Sequence, residues 1–400
     1  MLSRLLARPK FYDALILLGL LAVAAALVRF PREAVQAASD GVALSFNVIV
    51  PSLFPFFVLS TLMVRLGLTQ YFGRVLDPVM RPLFNVGGVC SSAFVLGFVG
   101  GYPVGAKTAV SLYENGQISR VEAERLLAFS NNSGPAFILG VVGVGIFASS
   151  RVGLMLYAAH ALASVLVGVL FRRWGLRGNA ERRIKNAELK GGGQIRAVRF
   201  GQVFVESVTK SFQATLNICG FVIFFTVFIR LLFLAGVIPA VAGLLGGVFA
   251  ELGFDAEWAS MLLIGLIELS SGVWGLRDVA GQMSSAIAMA AFMLGWAGLS
   301  VHCQVLSFIG GSGLSVRSYI LGKFLHGGIS AGLIFLLTRL VPTGTTVAAT
   351  LAEGVYGIAG TDFSTSIRIS SLSALGLWLG VMAVCMVSTK RARQKRINSV

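Results

Sequence analysis

Runs of about 20 apolar residues follow one another along most of the chain, the length a helix needs to cross a bilayer. They are continuous and do not alternate, which points to helices and away from a β-barrel. The pattern predicts one all-α polytopic membrane protein. Phe11–Phe30 reads as a retained first helix, because no small-residue cleavage site follows it. An amphipathic approach, Glu33–Asp40, leads into a long span, Gly41–Leu66, where Pro51 and Pro55 predict kinks. Thr69–Val86 mixes Arg74, Asp77 and Arg81 with aromatics and suits a helix lying on the interface.

The apolar pattern then changes. Cys90–Gly116 has two apolar arms, each too short to span, joined by a turn containing Gly100, Gly101, Pro103 and Gly105. This predicts a re-entrant hairpin, tolerated at depth only where protein or water surrounds its tip. Ile118–Phe147 is long enough to cross but is broken at Asn131–Pro135, and Arg151–Phe171 returns. After a basic linker, the order repeats. Phe204–Ala235 is a long span and Gly236–Phe254 an interfacial segment. Ser260–Gly281 is a second short-armed hairpin, Ser284–Gly310 a span interrupted at Gly295–Gln304, and Ser315–Leu340 a return. Lining up the halves sets His160 against His326. A polar outer loop, Val341–Thr365, and a last span, Ile369–Val387, complete about eight full spans.

Charge supplies the orientation. The chain carries 33 Lys and Arg against 17 Asp and Glu, a net charge of +16. The basic residues gather near the N-terminus, in the linker and in the tail Lys390–Arg396, where the positive-inside rule places cytoplasmic loops. That distribution argues against nucleic acid as a partner. It puts both termini in the cytoplasm, so the first repeat starts outside and the second inside. The repeats are therefore inverted, with two re-entrant hairpins and two broken transmembrane helices. The organisation read from the chain is an N-terminal transmembrane helix over residues 1–32 and a first repeat over 33–172. A basic cytoplasmic linker follows over 173–203, then a second repeat over 204–340. Residues 341–400 hold the outer loop, last helix and tail. Inverted repeats with paired broken helices point to a secondary transporter with a midplane site. Only 12% of residues are charged and 56% are hydrophobic, so each interrupting polar residue needs a reason.

The candidate site follows from those interruptions. Ser133 is expected to cap a half-helix restarting near Pro135, presenting free N–H groups to an anion. Asn131 and Asn132 add amide donors and acceptors. In the second half, Ser300 is expected to cap a half-helix carrying His302 and Gln304. Glu268, at the second hairpin tip, is the candidate ion- or proton-coupling group, the alternative being a structural pairing, with Arg277 as one partner. Ser270 and Ser271 beside it are substrate donors or back-bonded helix residues. Lys107, just past the first turn, pairs with a substrate carboxylate or with Glu268, or snorkels to the interface. Gly101 and Tyr102 form the first tip. His160 and His326 have only symmetry behind them and read as structural. Cys90, Cys219, Cys303 and Cys385 are too widely spaced for a metal or disulfide pattern. No cofactor is expected beyond coupling to sodium or a proton. No HExxH, GxSxG or P-loop is present, so an enzyme is not expected; a membrane enzyme using Glu268 and His302 is the remaining enzymatic alternative.

The segments VMRPLFNV, GYPVGAKTA, ERLLAFSNNSGPAFILG and GLSVHCQVL resemble the sporulation integral membrane protein family YlbJ, also called stage V sporulation protein. The resemblance is clearest from Pro51 to Leu340. This family belongs to the nucleoside-recognition gate group and is similar in plan to concentrative nucleoside transporters. The resemblance implies that the two repeats are gate-like. It also implies a sporulation transporter moving dipicolinic acid (pyridine-2,6-dicarboxylate) from the mother-cell cytosol across the outer forespore membrane. Half-helix N-termini, Lys107, the asparagines and stacking on Tyr102 would suit that planar diacid. Alternatives are a nucleoside or another small metabolite as substrate, or a non-transporting spore-envelope scaffold. Lipid is an expected partner, and a homo-oligomer is left open. Alanine at Asn131 or Glu268 is expected to remove transport while leaving the protein inserted.

Overall fold

The computed structural model describes residues 9–46, 50–175, 200–251, 256–278 and 283–340. The expected outer loop, last span and tail, and nearly all of the basic linker, lie outside these residues. The described chain is helical, with no strand among the described residues. Its first helices are α1 (Pro9–Arg29), α2 (Pro31–Leu44), α3 (Val50–Arg65) and α4 (Thr69–Phe84). A 3-10 turn leads into α5 (Ser91–Gly100) and α6 (Val104–Glu114), followed by α7 (Arg120–Ser130). A π-wound segment, Ala136–Ile146, precedes α8 (Ser150–Phe171). The second half holds α9 (Phe200–Leu234), α10 (Val237–Glu251), α11 (Ala256–Ile267) and α12 (Leu269–Gly275). It ends with α13 (Met283–Trp296), α14 (Gly298–Ile309) and α15 (Val316–Leu340).

Among the described residues, four stretches are long and apolar enough to cross a membrane: α8, α9, the Met283–Ile309 pair α13–α14, and α15. Residues 73–84 and 88–100 would add a fifth if counted as one span, although they meet at 94°. The last of the expected eight, Ile369–Val387, lies outside the described residues, and the others are not all single apolar helices. The long span expected over Gly41–Leu66 includes residues 47–49, which lie outside the described residues between α2 and α3. In Ile118–Phe147, α7 carries Glu122, Glu124 and Arg125 before the chain breaks.

Those three charges hold one end of the first half together. Ser119 and Glu122 form a capping box on α7, and the Glu122 carboxylate also accepts from the Gly87 N–H at 2.8 Å. Arg125 donates to the carbonyls of Asn85 and Trp174, satisfying backbone beyond the ends of α4 and α8. A core of Phe84, Phe94, Leu126, Phe129 and Tyr319 packs beside this network.

Both short-armed hairpins exist as helix–turn–helix pairs. In the first, Gly97 of α5 and Gly105 of α6 face each other, and a Cβ on either would overlap the Ser130 carbonyl at the end of α7. In the second, a Cβ on Gly272 of α12 would overlap Gly265 of α11. Each tip rests on a break. Gly101, at φ +74°, lies against Gly134, while Gly298, at φ +81°, lies against Ile267, Glu268 and Leu269. At both places the left-handed backbone and the absence of a side chain are needed together.

Candidate functional site

Polar groups concentrate where the first break, the first hairpin tip and α15 meet. α7 ends at Ser130, and Asn131 turns the chain away from helix. α15 comes close to this end because Gly322 leaves room: a Cβ there would overlap Ala128 of α7. The next residue, Lys323, is 0% exposed. Its Nζ donates to the Asn131 carbonyl at 2.9 Å, lies 3.5 Å from the Tyr102 hydroxyl and 3.3 Å from His326 Nδ1, and sits over the Tyr102 ring. An ammonium has three donors, and three acceptors surround it. Its charge, however, has no carboxylate counterpart among the described residues.

Two imidazoles extend this centre. The rings of His160 on α8 and His326 on α15 lie 4.3 Å apart, so the halves bring the aligned histidines together. Their protonation is assigned from their partners. His326 Nε2 faces the His160 carbonyl at 2.9 Å and must donate, so its Nδ1 accepts from Lys323. His160 Nε2 accepts the Ser133 N–H at 3.1 Å, so its Nδ1 carries the proton, and that N–H has no partner. A third histidine repeats the pattern. Asn131 Nδ2 donates to the Tyr319 hydroxyl at 3.4 Å, and that hydroxyl donates to His302 Nδ1 at 2.9 Å. His302 Nε2 then bears a buried N–H without a partner. The Trp296 ring stands edge-on to His302, and the Tyr102 hydroxyl donates to the Leu294 carbonyl.

The sequence-predicted residues divide between this centre and other places. Gly101, Tyr102, Asn131, Ser133 and His302 belong to the connected set. Asn132 Nδ2 bonds back to the Phe129 carbonyl, while the side-chain oxygens of Asn131 and Asn132 lack partners. Lys107 is elsewhere. Its Nζ lies 3.9 Å from the centroid of Phe57 with no hydrogen-bond partner, and no ion pair joins it to Glu268. Glu268 serves as the N-cap of α12, its carboxylate accepting the N–H groups of Ser270 and Ser271 at 3.0 and 2.7 Å.

Two expectations about capping are corrected. Ser133 does not cap the segment after the break: Pro135 stands at its N-cap position with no side-chain cap, and the Ser133 N–H is spent on His160. Ser300 does not start the second half-helix. The break falls at Ala297, φ +81°, and Ser300 lies buried inside α14, where Gln304 reaches it at 3.5 Å.

Lys323 and Tyr319 were missed by sequence reasoning, and His326 and His160 were given a structural role. The available signal was a lysine well inside an apolar helix with a histidine three residues on, on the same helical face.

Residues 46–150 match the family model described as Gate: Nucleoside recognition. The sporulation integral membrane protein YlbJ of Bacillus subtilis is 31% identical over 341 residues, covering 82% of this chain and 84% of that protein. The solved structure of a CNTnw variant in an outward-facing state aligns over 84% of this chain and 88% of that one. Its identity is 14% and its TM-score 0.43, a likeness too low to carry an argument.

Proposed function

The chain belongs to the family of the sporulation integral membrane protein YlbJ, and from that premise we propose that it transports a small aromatic dicarboxylate, dipicolinate, out of the mother-cell cytosol across the outer forespore membrane. The observation that carries this reading is the buried Lys323, a cation without a carboxylate partner, set beside unpartnered N–H groups on His160 and His302. A buried charge left uncompensated costs several kcal/mol. An anionic substrate supplies the missing charge, and each imidazole N–H offers a carboxylate a donor. Tyr102 adds a ring face beside the ammonium.

Movement follows from the two tips. Each hairpin rests on a break through glycine contacts, an arrangement suited to rocking hairpin-bearing parts against a scaffold. The inverted repeat and midplane depth of the site belong to this proposal. So do the cytoplasmic termini and the forespore membrane as location.

A nucleoside is the second reading, favoured by the matched gate model. The polar set argues against it: the hydrogen-bonded centre offers a lysine, and no carboxylate is bonded into it among the described residues. The test is uptake of labelled dipicolinate and labelled uridine into proteoliposomes. Saturable dipicolinate uptake, lost in Asn131→Ala, supports the proposal. Uridine uptake alone supports the nucleoside reading. Uptake of neither, by protein shown to be inserted, favours a non-transporting scaffold.

A further inference from the structure

The C-terminal end of a broken half-helix attracts cations. Its last carbonyls carry the negative end of the helix dipole, and in transporters such ends coordinate a coupling ion. Here α7 ends at Ser130 with Asn131 as its C-cap, and four oxygens belong to these residues and to Asn132. The Asn131 carbonyl is bonded to Lys323, while Ser130 Oγ, Asn131 Oδ1 and Asn132 Oδ1 are buried without hydrogen-bond partners. The cation that reaches this end is covalently attached. Gly322 lets α15 lie against α7, and Lys323 follows it directly.

We propose that Lys323 is a tethered cation occupying the position at the end of α7 where a diffusible ion would bind, so that the site takes no sodium and exchanges only the proton shared by Lys323 and His326. The proton half of this inference rests on the transport reading, whereas the tethered cation does not.

The proton assignment follows from donors and acceptors. His326 Nε2 is held as a donor by the His160 carbonyl. Lys323 Nζ and His326 Nδ1, 3.3 Å apart, therefore share one proton in their bond. With that proton the pair carries one positive charge, as ammonium or as imidazolium. Without it, both groups are neutral and the end of α7 loses its cation. Other titratable groups facing the pair are Tyr102 from the first hairpin, His160 from α8, and Tyr319 on α15 linked to His302 on α14. His160 and His302 are held neutral by the Ser133 N–H and the Tyr319 hydroxyl, which leaves the Lys323–His326 pair as the exchanging group.

Two measurements on the full chain in lipid nanodiscs and proteoliposomes test this. In the first, thermal unfolding without substrate is compared in sodium chloride and choline chloride at equal ionic strength. The wild type should show no sodium-specific shift. Lys323→Ala, which frees the Asn131 carbonyl, should melt higher in sodium; Lys323→Ser serves if alanine fails to insert. A sodium shift in the wild type overturns the tethered cation, and so does the absence of a shift in a folded variant. In the second, dipicolinate uptake should follow an imposed pH gradient and ignore a sodium gradient. Uptake that follows sodium overturns the proton half. No uptake under either gradient sinks the transport reading and its proton half, while the melting comparison decides the tethered cation by itself.

Discussion

Lys323 concentrates the chemistry at the residue scale. It is buried, satisfied in hydrogen bonds and unbalanced in charge, three conditions that together ask for an anion. Removing one partner of a buried charge pair costs about 2–5 kcal/mol, so Lys323→Gln, which removes the positive charge, should weaken dipicolinate binding about tenfold or more. Calorimetric titration of the purified protein measures this. Tyr319→Phe removes the hydroxyl linking Asn131 to His302 and leaves two buried groups without partners. It should lower the unfolding free energy by about 1–3 kcal/mol, read by denaturant melting of the inserted protein. Glu268 differs from both. Its carboxylate is engaged by two backbone N–H groups, so Glu268→Ala should cost about 1 kcal/mol at the start of α12. Dipicolinate uptake should survive that substitution, in contrast to the loss that the sequence by itself suggests.

Glycine governs the scale of elements. Gly105 of the first hairpin has no room for a side chain because the Ser130 carbonyl fills the space. Gly105→Val should separate α5–α6 from α7 and lower the melting temperature, with uptake falling in parallel. The positions of both hairpins and both interruptions were legible in the sequence, since glycine, proline and paired asparagines break apolar runs in recognisable ways. The capping details were not. Ser133 looks like an N-cap by residue type, yet its N–H is taken by His160, a residue 27 positions away. Lys323 was hidden for a related reason. It stands in the apolar run YILGKFLHGG, which stays helical through the adjacent Gly322, and only the approach of α15 to α7 at that glycine gives it a partner.

For the molecule as a whole, the apolar runs foretold an all-helical membrane protein, and the motif segments foretold its family. The span count was less legible: among the described residues, length and apolarity single out four or five stretches, whereas reading the whole sequence through its polar breaks gives about eight. A helix such as α7, with its first turns fastened by Glu122 and Arg125, belongs to a broken element that no simple apolar run describes. Orientation rests on the basic linker and tail. A cysteine introduced within residues 173–203 should therefore be labelled by an impermeant reagent only from the cytoplasmic face.

The most direct measurement is equilibrium binding of dipicolinate to the full chain in nanodiscs, with wild type beside Lys323→Gln and with uridine as competitor. The account predicts saturable binding by the wild type, a loss of about tenfold or more in the variant, and no displacement by uridine. Equal binding by both proteins, or displacement by uridine, would contradict it.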